Sequence, residues 1–356
     1  MKRIMNKTAL CMALTGAAFA LGLTHSAQAA SLGATYKVVA EYPLTGDEGW
    51  DYLSFDGKRN RLFISRQQHV QVMDTKTGKL VGEIADTAGV HGIAFAQDLK
   101  LGFTSNGKAN TVTVFNLDTL AQVDTVKVRG VKPDFIFYEP ARKRIYTSNG
   151  GSANITAIDA VSRTVVATFD LGGAPEAIVS DKEGRHLFVN LEDKNEMVKI
   201  DTQAGKVVAR WPMAACDAPT GLAFDRKNER LFAVCHSANM MVLDAKSGNI
   251  VKEVESGKLA DAADFDAKEK LVYSSNGEGS LTVVHQDTPD TYTVQAKVST
   301  MKGAKTMAVD HKTHRVYLAS ARYSPAPAAT AENPHPRPAI VPGSVKILVA
   351  EPKAGQ

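Results

Sequence analysis

Seven positions recur along the chain at intervals of roughly 42 residues, and six of them can carry charge: Asp51, His91, Asp134, Glu176, Thr220, Asp261 and Lys305. Other positions in the same segments are Leu, Ile, Ala or Phe, so charge returns at one place in otherwise dissimilar sequence. Carboxylates brought close together resist joint ionisation unless a cation such as Lys305 or protonated His91 lies between them. Asp51, His91 and Asp134 come from successive repeats. One imidazole and two carboxylates can therefore converge as a facial site for a divalent metal ion, with positions left open to water. Glu176 is then placed to act as a base. The same seven residues also fit a water-filled channel whose mouth is merely polar. A second set follows the aromatic segments: Arg66, Asn106, Asn149, Asn190, His236, Asn276 and Arg322. Arg66 and Arg322 offer guanidinium forks for carboxylate or phosphate, and His236 offers a second nitrogen ligand. The asparagines bind ligand or cap turns. Trp50 stacks on a ligand or packs between segments.

These residues need elements that bring distant repeats to one place. An aromatic residue anchors each repeat: Phe63, Phe103, Tyr146, Phe188, Phe232, Tyr273 and Tyr317. Each lies in a β-branched, aromatic phrase such as Arg61-Leu62-Phe63-Ile64 or Arg230-Leu231-Phe232-Ala233, preceded by turn formers such as Asp56-Gly57 or Asp225-Arg226-Lys227-Asn228. A third run closes on turns such as Thr77-Gly78-Lys79 and Ser247-Gly248-Asn249. No 3.6-residue apolar stripe of helical length occurs after the first segment. The spacing predicts an all-β fold, a seven-bladed β-propeller of four-stranded antiparallel blades forming one domain over residues 30–356. The last repeat ends with its third strand, Ser344 to Val349, and Tyr36 to Ala40 is unassigned. That N-terminal strand is expected to join the last blade and close the ring without an open edge.

The phrases Ile145-Tyr146-Thr147-Ser148-Asn149 and Phe103-Thr104-Ser105-Asn106, with their Asp-x-x-x-Gly-Lys type turns, resemble the YVTN-repeat β-propellers, the exported YncE-like group in particular. The likeness covers the whole chain beyond its first segment. It implies the propeller fold and a place in the cell envelope, and it carries over no catalytic residue. Arg66, Leu191 and Cys235 depart from the pattern where other blades have Asn.

The first 29 residues read as a signal peptide. Lys2, Arg3 and Lys7 precede an apolar core from Thr8 to Leu23, and Ala27-Gln28-Ala29 is a cleavage motif. The expected location is the periplasm, with no membrane span after cleavage. Removing this segment lowers Lys plus Arg from 42 to 39 against 38 Asp plus Glu, so the net charge falls from +4 to +1. That balance argues against a nucleic-acid partner. Cys216 and Cys235 remain, a pair expected to form a disulfide in an oxidising compartment. A Pro/Ala-rich insertion at 323–343 carries His335 and Arg337 and leaves on the same face as the charged ring, as a lid or a surface loop. No nucleophile elbow, phosphate-binding Gly loop or His-Glu-x-x-His occurs. The sequence points to an exported, monomeric propeller that binds a small polar or anionic molecule, a metal ion or an envelope protein at the channel mouth. The alternative is a metal-assisted lactonase, lyase or hydrolase using the same ring; a protein-interaction scaffold is the third reading.

Overall fold

The computed structural model describes residues 36–330 and 336–353. The signal segment and His335 lie outside the described residues. Seven four-stranded antiparallel sheets form the propeller: blade 1 spans residues 53–84, blade 2 90–127, blade 3 133–170, blade 4 175–212, blade 5 219–258 and blade 6 260–299, each running in sequence order from the axis outward, and blade 7 takes its outermost strand from the N-terminus. We label the strands of each blade A to D from the axis. Among the described residues, helix is confined to one 3₁₀ turn, Glu192–Lys194, and no helix is long and apolar enough to cross a membrane.

The seven aromatic anchors each take the third position of a B strand, Tyr273 included by register, and all are buried between blades at 0–2% exposure. Their neighbours on the same face complete separate apolar clusters, one at each junction between blades. In one, Phe63 packs against Phe95 and Phe115. Burying such rings between sheets supplies the main inter-blade adhesion, roughly 1.5–3 kcal/mol per large side chain. In blades 1 to 5 the turns between C and D strands owe their shape to an acidic or amide side chain. Asp74 Oδ1 accepts the backbone N–H groups of Lys76 and Thr77, and Asp159, Asp201 and Asp244 repeat the pattern. Gly78 at φ +68° completes one such turn.

The last blade consists of Met307–Asp310, Arg315–Ser320, Lys346–Pro352 and, outermost, Tyr36–Pro43. The N-terminal strand pairs antiparallel with Lys346–Pro352, Val38 opposite Ala350. The Tyr36 and Tyr273 hydroxyls then join the closing strand to the sixth blade at 2.8 Å. Every C–D pairing is bulged at the same level, as between Val72 and Met73 or Ala157 and Ile158. The extra residues include Val39, Val81, Val123, Val166 and Val208, all exposed. The bulge twists each outer edge and blunts it against further strand pairing.

Candidate functional site

The charged ring forms because each of its residues enters an A strand at the same level. In five of the seven positions the backbone is pinned by a hydroxyl or amide from the preceding blade. Ser148 Oγ donates to the Glu176 carbonyl at 2.5 Å, Ser275 Oγ to the Lys305 carbonyl at 2.5 Å, and Ser105 Oγ to the Asp134 carbonyl. Asn190 takes the same role in blade 4, donating to the carbonyls of Thr220 and Gly221, and Thr306 Oγ1 donates to the Asp51 carbonyl at 2.7 Å. The Ser of each Ser-Asn phrase thus aligns the next blade's ring residue. The sequence reading missed these residues, although Ser65, Ser105, Ser148 and Ser275 recur one position before the Asn site.

Three of the ring residues meet closely. His91 Nδ1 lies 2.5 Å from Asp51 Oδ2 and 3.5 Å from Asp134 Oδ1. One ligand atom from each residue lies within 4.8 Å of the others, and all three residues are half-buried. Gly107 makes room for the imidazole, since a Cβ there would stand 2.8 Å from His91 Nε2. Across the mouth, Lys305 Nζ pairs with Asp261 Oδ2 at 2.7 Å. Glu176 accepts a long hydrogen bond from the Tyr52 hydroxyl at 3.4 Å.

Burial sets the electrostatics and neighbouring charge tunes them. Burial raises Glu176 well above the ordinary carboxyl range, and the charges of Asp134 and Asp261 add to it. Burial also raises Asp134 to about 6, although His91 opposes the shift. Asp261 is likewise raised by burial against the pull of Lys305. For His91, burial acts against the charged form, but the Asp51 hydrogen bond and the Asp134 and Asp51 charges outweigh it and hold the pKa up. Lys305 is held up in the same way by Asp261. Four carboxyl groups thus face two cationic groups in a desolvated ring.

Beneath the ring, Tyr52 and Phe135 meet edge to face with centroids 5.4 Å apart and help line a central cavity of about 160 Å³. Gly92, Ala177, Gly221 and Ala262 occupy the corresponding position in other blades, and their small size leaves the axis to these two rings. The ring is therefore a cup with an aromatic floor. Tyr52 was not singled out in the sequence, although it stands one position after Asp51, where other repeats have Gly92, Ala177, Gly221 and Ala262.

The second set of residues divides differently from expectation. Arg66 is fully buried; it donates to the carbonyls of Thr45, Gly46 and Glu48 and to Gln71 Oε1. Its fork clamps the loop entering blade 1 and is not offered to a ligand. Asn106, Asn149 and Asn276 are likewise structural. Each accepts from a hydroxyl two residues earlier and donates to two side chains of strand C, as Asn106 does with Thr104, Thr111 and Thr113. Leu191 and Cys235 occupy this position in blades 4 and 5, which places Asn190 and His236 one residue out of register. Cys235 forms the disulfide with Cys216, with Cα atoms 5.2 Å apart, and so braces the position by covalent linkage. His236 stands half-buried beside this bridge, near enough for its charge to act on Asp261. Arg322 is exposed at the base of the insertion, its N–H donating to Ser344 Oγ at 3.0 Å, away from the ring contacts. Trp50 packs partly buried against the apolar cluster between blades 7 and 1 and also borders an outer cavity of about 540 Å³ beside Asp51 and His91.

The chain is 23% identical to the uncharacterized protein YncE of Salmonella typhimurium over 190 residues, which is 52% of this chain and 53% of that one. The chain therefore resembles YncE, and its fold is a seven-bladed β-propeller. It is also 25% identical over 162 residues to antigen Lp49 of Leptospira interrogans, covering 44% of this chain and 35% of Lp49. The chain spans about half, or less, of the length of these curated relatives. No family model matches it. Among solved structures, a chain of Kuenenia stuttgartiensis hydrazine synthase has a TM-score of 0.67 at 18% identity, covering 77% of this chain and 93% of that chain. A chain of the mitotic checkpoint complex has a TM-score of 0.73 at 11% identity over 98% of this chain and 99% of that chain. At such identities the likeness is one of fold.

Proposed function

We propose that this protein is an exported binding propeller whose channel mouth holds a divalent cation on Asp51, His91 and Asp134. The observation that carries the reading is the convergence of one imidazole and two carboxylates from three blades within 4.8 Å. Bound there, a divalent ion takes the place of the proton on His91 and neutralises Asp134, which burial otherwise makes hard to ionise. An imidazole with two carboxylates suits Mn²⁺, Zn²⁺ or Fe²⁺ better than a soft thiophilic ion. Ser105 and Thr306 pin the backbones of Asp134 and Asp51, and Gly107 leaves space for His91. The formed Cys216 to Cys235 bridge supports an oxidising, extracytoplasmic location.

A hydrolytic or lyase role for the same cup is favoured by one further observation. Burial raises the Glu176 pKa well above the ordinary carboxyl range and so favours its protonated form beside the Tyr52 hydroxyl. Binding is tested first. Elemental analysis and calorimetric titration with Mn²⁺ and Zn²⁺ should give one ion per chain, with Asp51→Asn and His91→Ala each weakening binding at least about a hundredfold. A parent protein that binds neither ion would remove the cation site.

A further inference from the structure

Just outside the metal-ligand cluster lies the cavity of about 540 Å³ bordered by Asp51 and His91 on its inner side. Its outer side has the opposite character. Lys108, from the loop between strands B and C of blade 2, Lys132, from the loop entering blade 3, and Arg337, from the insertion, all border it and are exposed. None of the three has a carboxylate within ion-pair distance among the described residues, although 29 such contacts occur elsewhere. Trp50 and Gln67 complete the wall between the two sides.

The basic side is held in place through its backbone. Lys132 adopts a left-handed conformation at φ +57°; its N–H donates to Asn110 Oδ1 at 2.7 Å and its carbonyl accepts from Gly150. Lys108 sits over Gly89, where a Cβ would meet its backbone nitrogen at 2.6 Å. The insertion is tied down at both ends. Tyr323 bridges Ile340, and the Gly343 N–H donates to Asp47 Oδ1 at 2.6 Å. Arg337 is thereby brought to the same cavity.

One compartment thus contains an acidic cluster that calls for a cation and a basic rim that calls for an anion. A monocarboxylate satisfies one end only. We infer that the cavity binds a small dicarboxylate, one acid group completing the shell of the cation on Asp51, His91 and Asp134, the other lying among Lys108, Lys132 and Arg337. The inference rests on the cation site proposed above. Opposite charges around one half-open cavity select a ligand with two acid groups, with Trp50 supplying an apolar wall for the carbon chain.

The test is isothermal titration of the full chain with succinate, with acetate as control, in the presence and absence of Mn²⁺. Succinate should bind at least about tenfold more tightly to the Mn²⁺-loaded protein than to the metal-free protein. The Lys108→Ala/Lys132→Ala variant should lose at least about tenfold in succinate affinity while its Mn²⁺ affinity stays within threefold of the parent. Acetate should be indifferent to that variant. Mn²⁺ binding with succinate affinity unchanged by the metal or by the lysine variant overturns the dicarboxylate seat and leaves the cation site standing. Absence of Mn²⁺ binding overturns both.

Discussion

Breaking the bridge between Cys216 and Cys235 gives a magnitude that can be worked from the fold. The two residues are separated by 19 positions, and closing a loop of that size in the unfolded chain is worth about 3 kcal/mol. Unfolding entropy of about 2.1 cal/mol/K per residue over a ring of ~320 residues gives roughly 0.7 kcal/mol/K, so reduction alone should lower Tm by about 5 °C. Both cysteines are fully buried in the cluster around Phe188 and Trp211. The Cys216→Ala/Cys235→Ala variant also deletes two packed sulfur atoms, at roughly 1 kcal/mol each, and should melt about 8 °C lower. The assay is differential scanning calorimetry of the oxidised parent, the parent reduced under denaturant and refolded with reductant present, and the double variant. The bridge lies in blade 5 and the cation ligands enter blades 1 to 3, so Mn²⁺ affinity should stay within twofold throughout. If the reduced protein melts within 1 °C of the oxidised form, the bridge does not stabilise this blade and the reasoning fails.

Three other outcomes follow from the geometry. Arg66→Met strips three loop carbonyls and Gln71 of a buried donor and should cost about 2–4 kcal/mol in urea unfolding; a loss under 0.5 kcal/mol (roughly the surface-substitution range) would mean that the loop entering blade 1 holds itself. Gly107→Ala places a methyl 2.8 Å from His91 Nε2 and should weaken Mn²⁺ about tenfold, read by titration, with far-UV circular dichroism unchanged; parent-like affinity would show that the imbrication of Gly107 and His91 is irrelevant to the site. Glu176 binds its proton more tightly folded than unfolded, because burial and then the Asp134 and Asp261 charges raise its pKa. The parent must therefore lose stability as pH rises from the unfolded value near ~4.3 through the folded one. Glu176→Gln escapes that loss, so in EDTA its Tm relative to the parent should climb between pH 4 and pH 8, and a difference independent of pH would refute the assignment.

The blade count, the anchors and the closing strand were legible because each is written in local sequence. An aromatic every 42 residues or so and a polar turn after each run survive any reading of period. The convergence of Asp51, His91 and Asp134 was legible for the same reason, since equal offsets from aligned strands become neighbours once a ring closes. What could not be read was the direction of individual side chains. Arg66 looks like a free guanidinium in sequence, and only the loop folded over it at Thr45 to Glu48, with Gln71, engages both of its terminal nitrogens. The same limit applies to the Ser-Asn phrases. Sequence shows both residues recurring, but a one-residue step along a strand reverses the face, so Ser148 reaches Glu176 in the next blade while Asn149 stays within its own. In blade 4 the phrase shifts, and Asn190 does the work of a serine.

The pairing of Val38 with Ala350 also has a kinetic meaning. Most sheet contacts link residues within about two dozen positions of one another and can form as soon as their segment is available, whereas the clasp must wait for the far end of the polypeptide. Bringing ends ~310 residues apart together costs about 3 kcal/mol more in chain entropy than closing a ten-residue hairpin, and such distant contacts are slow to find. Assembly is therefore ordered in time. The expected order is six blades first, as an open horseshoe, and then the latch of the first strand onto the last, so a chain clipped by a dozen residues at its tail should stay open, as stopped-flow refolding and hydrogen exchange would show.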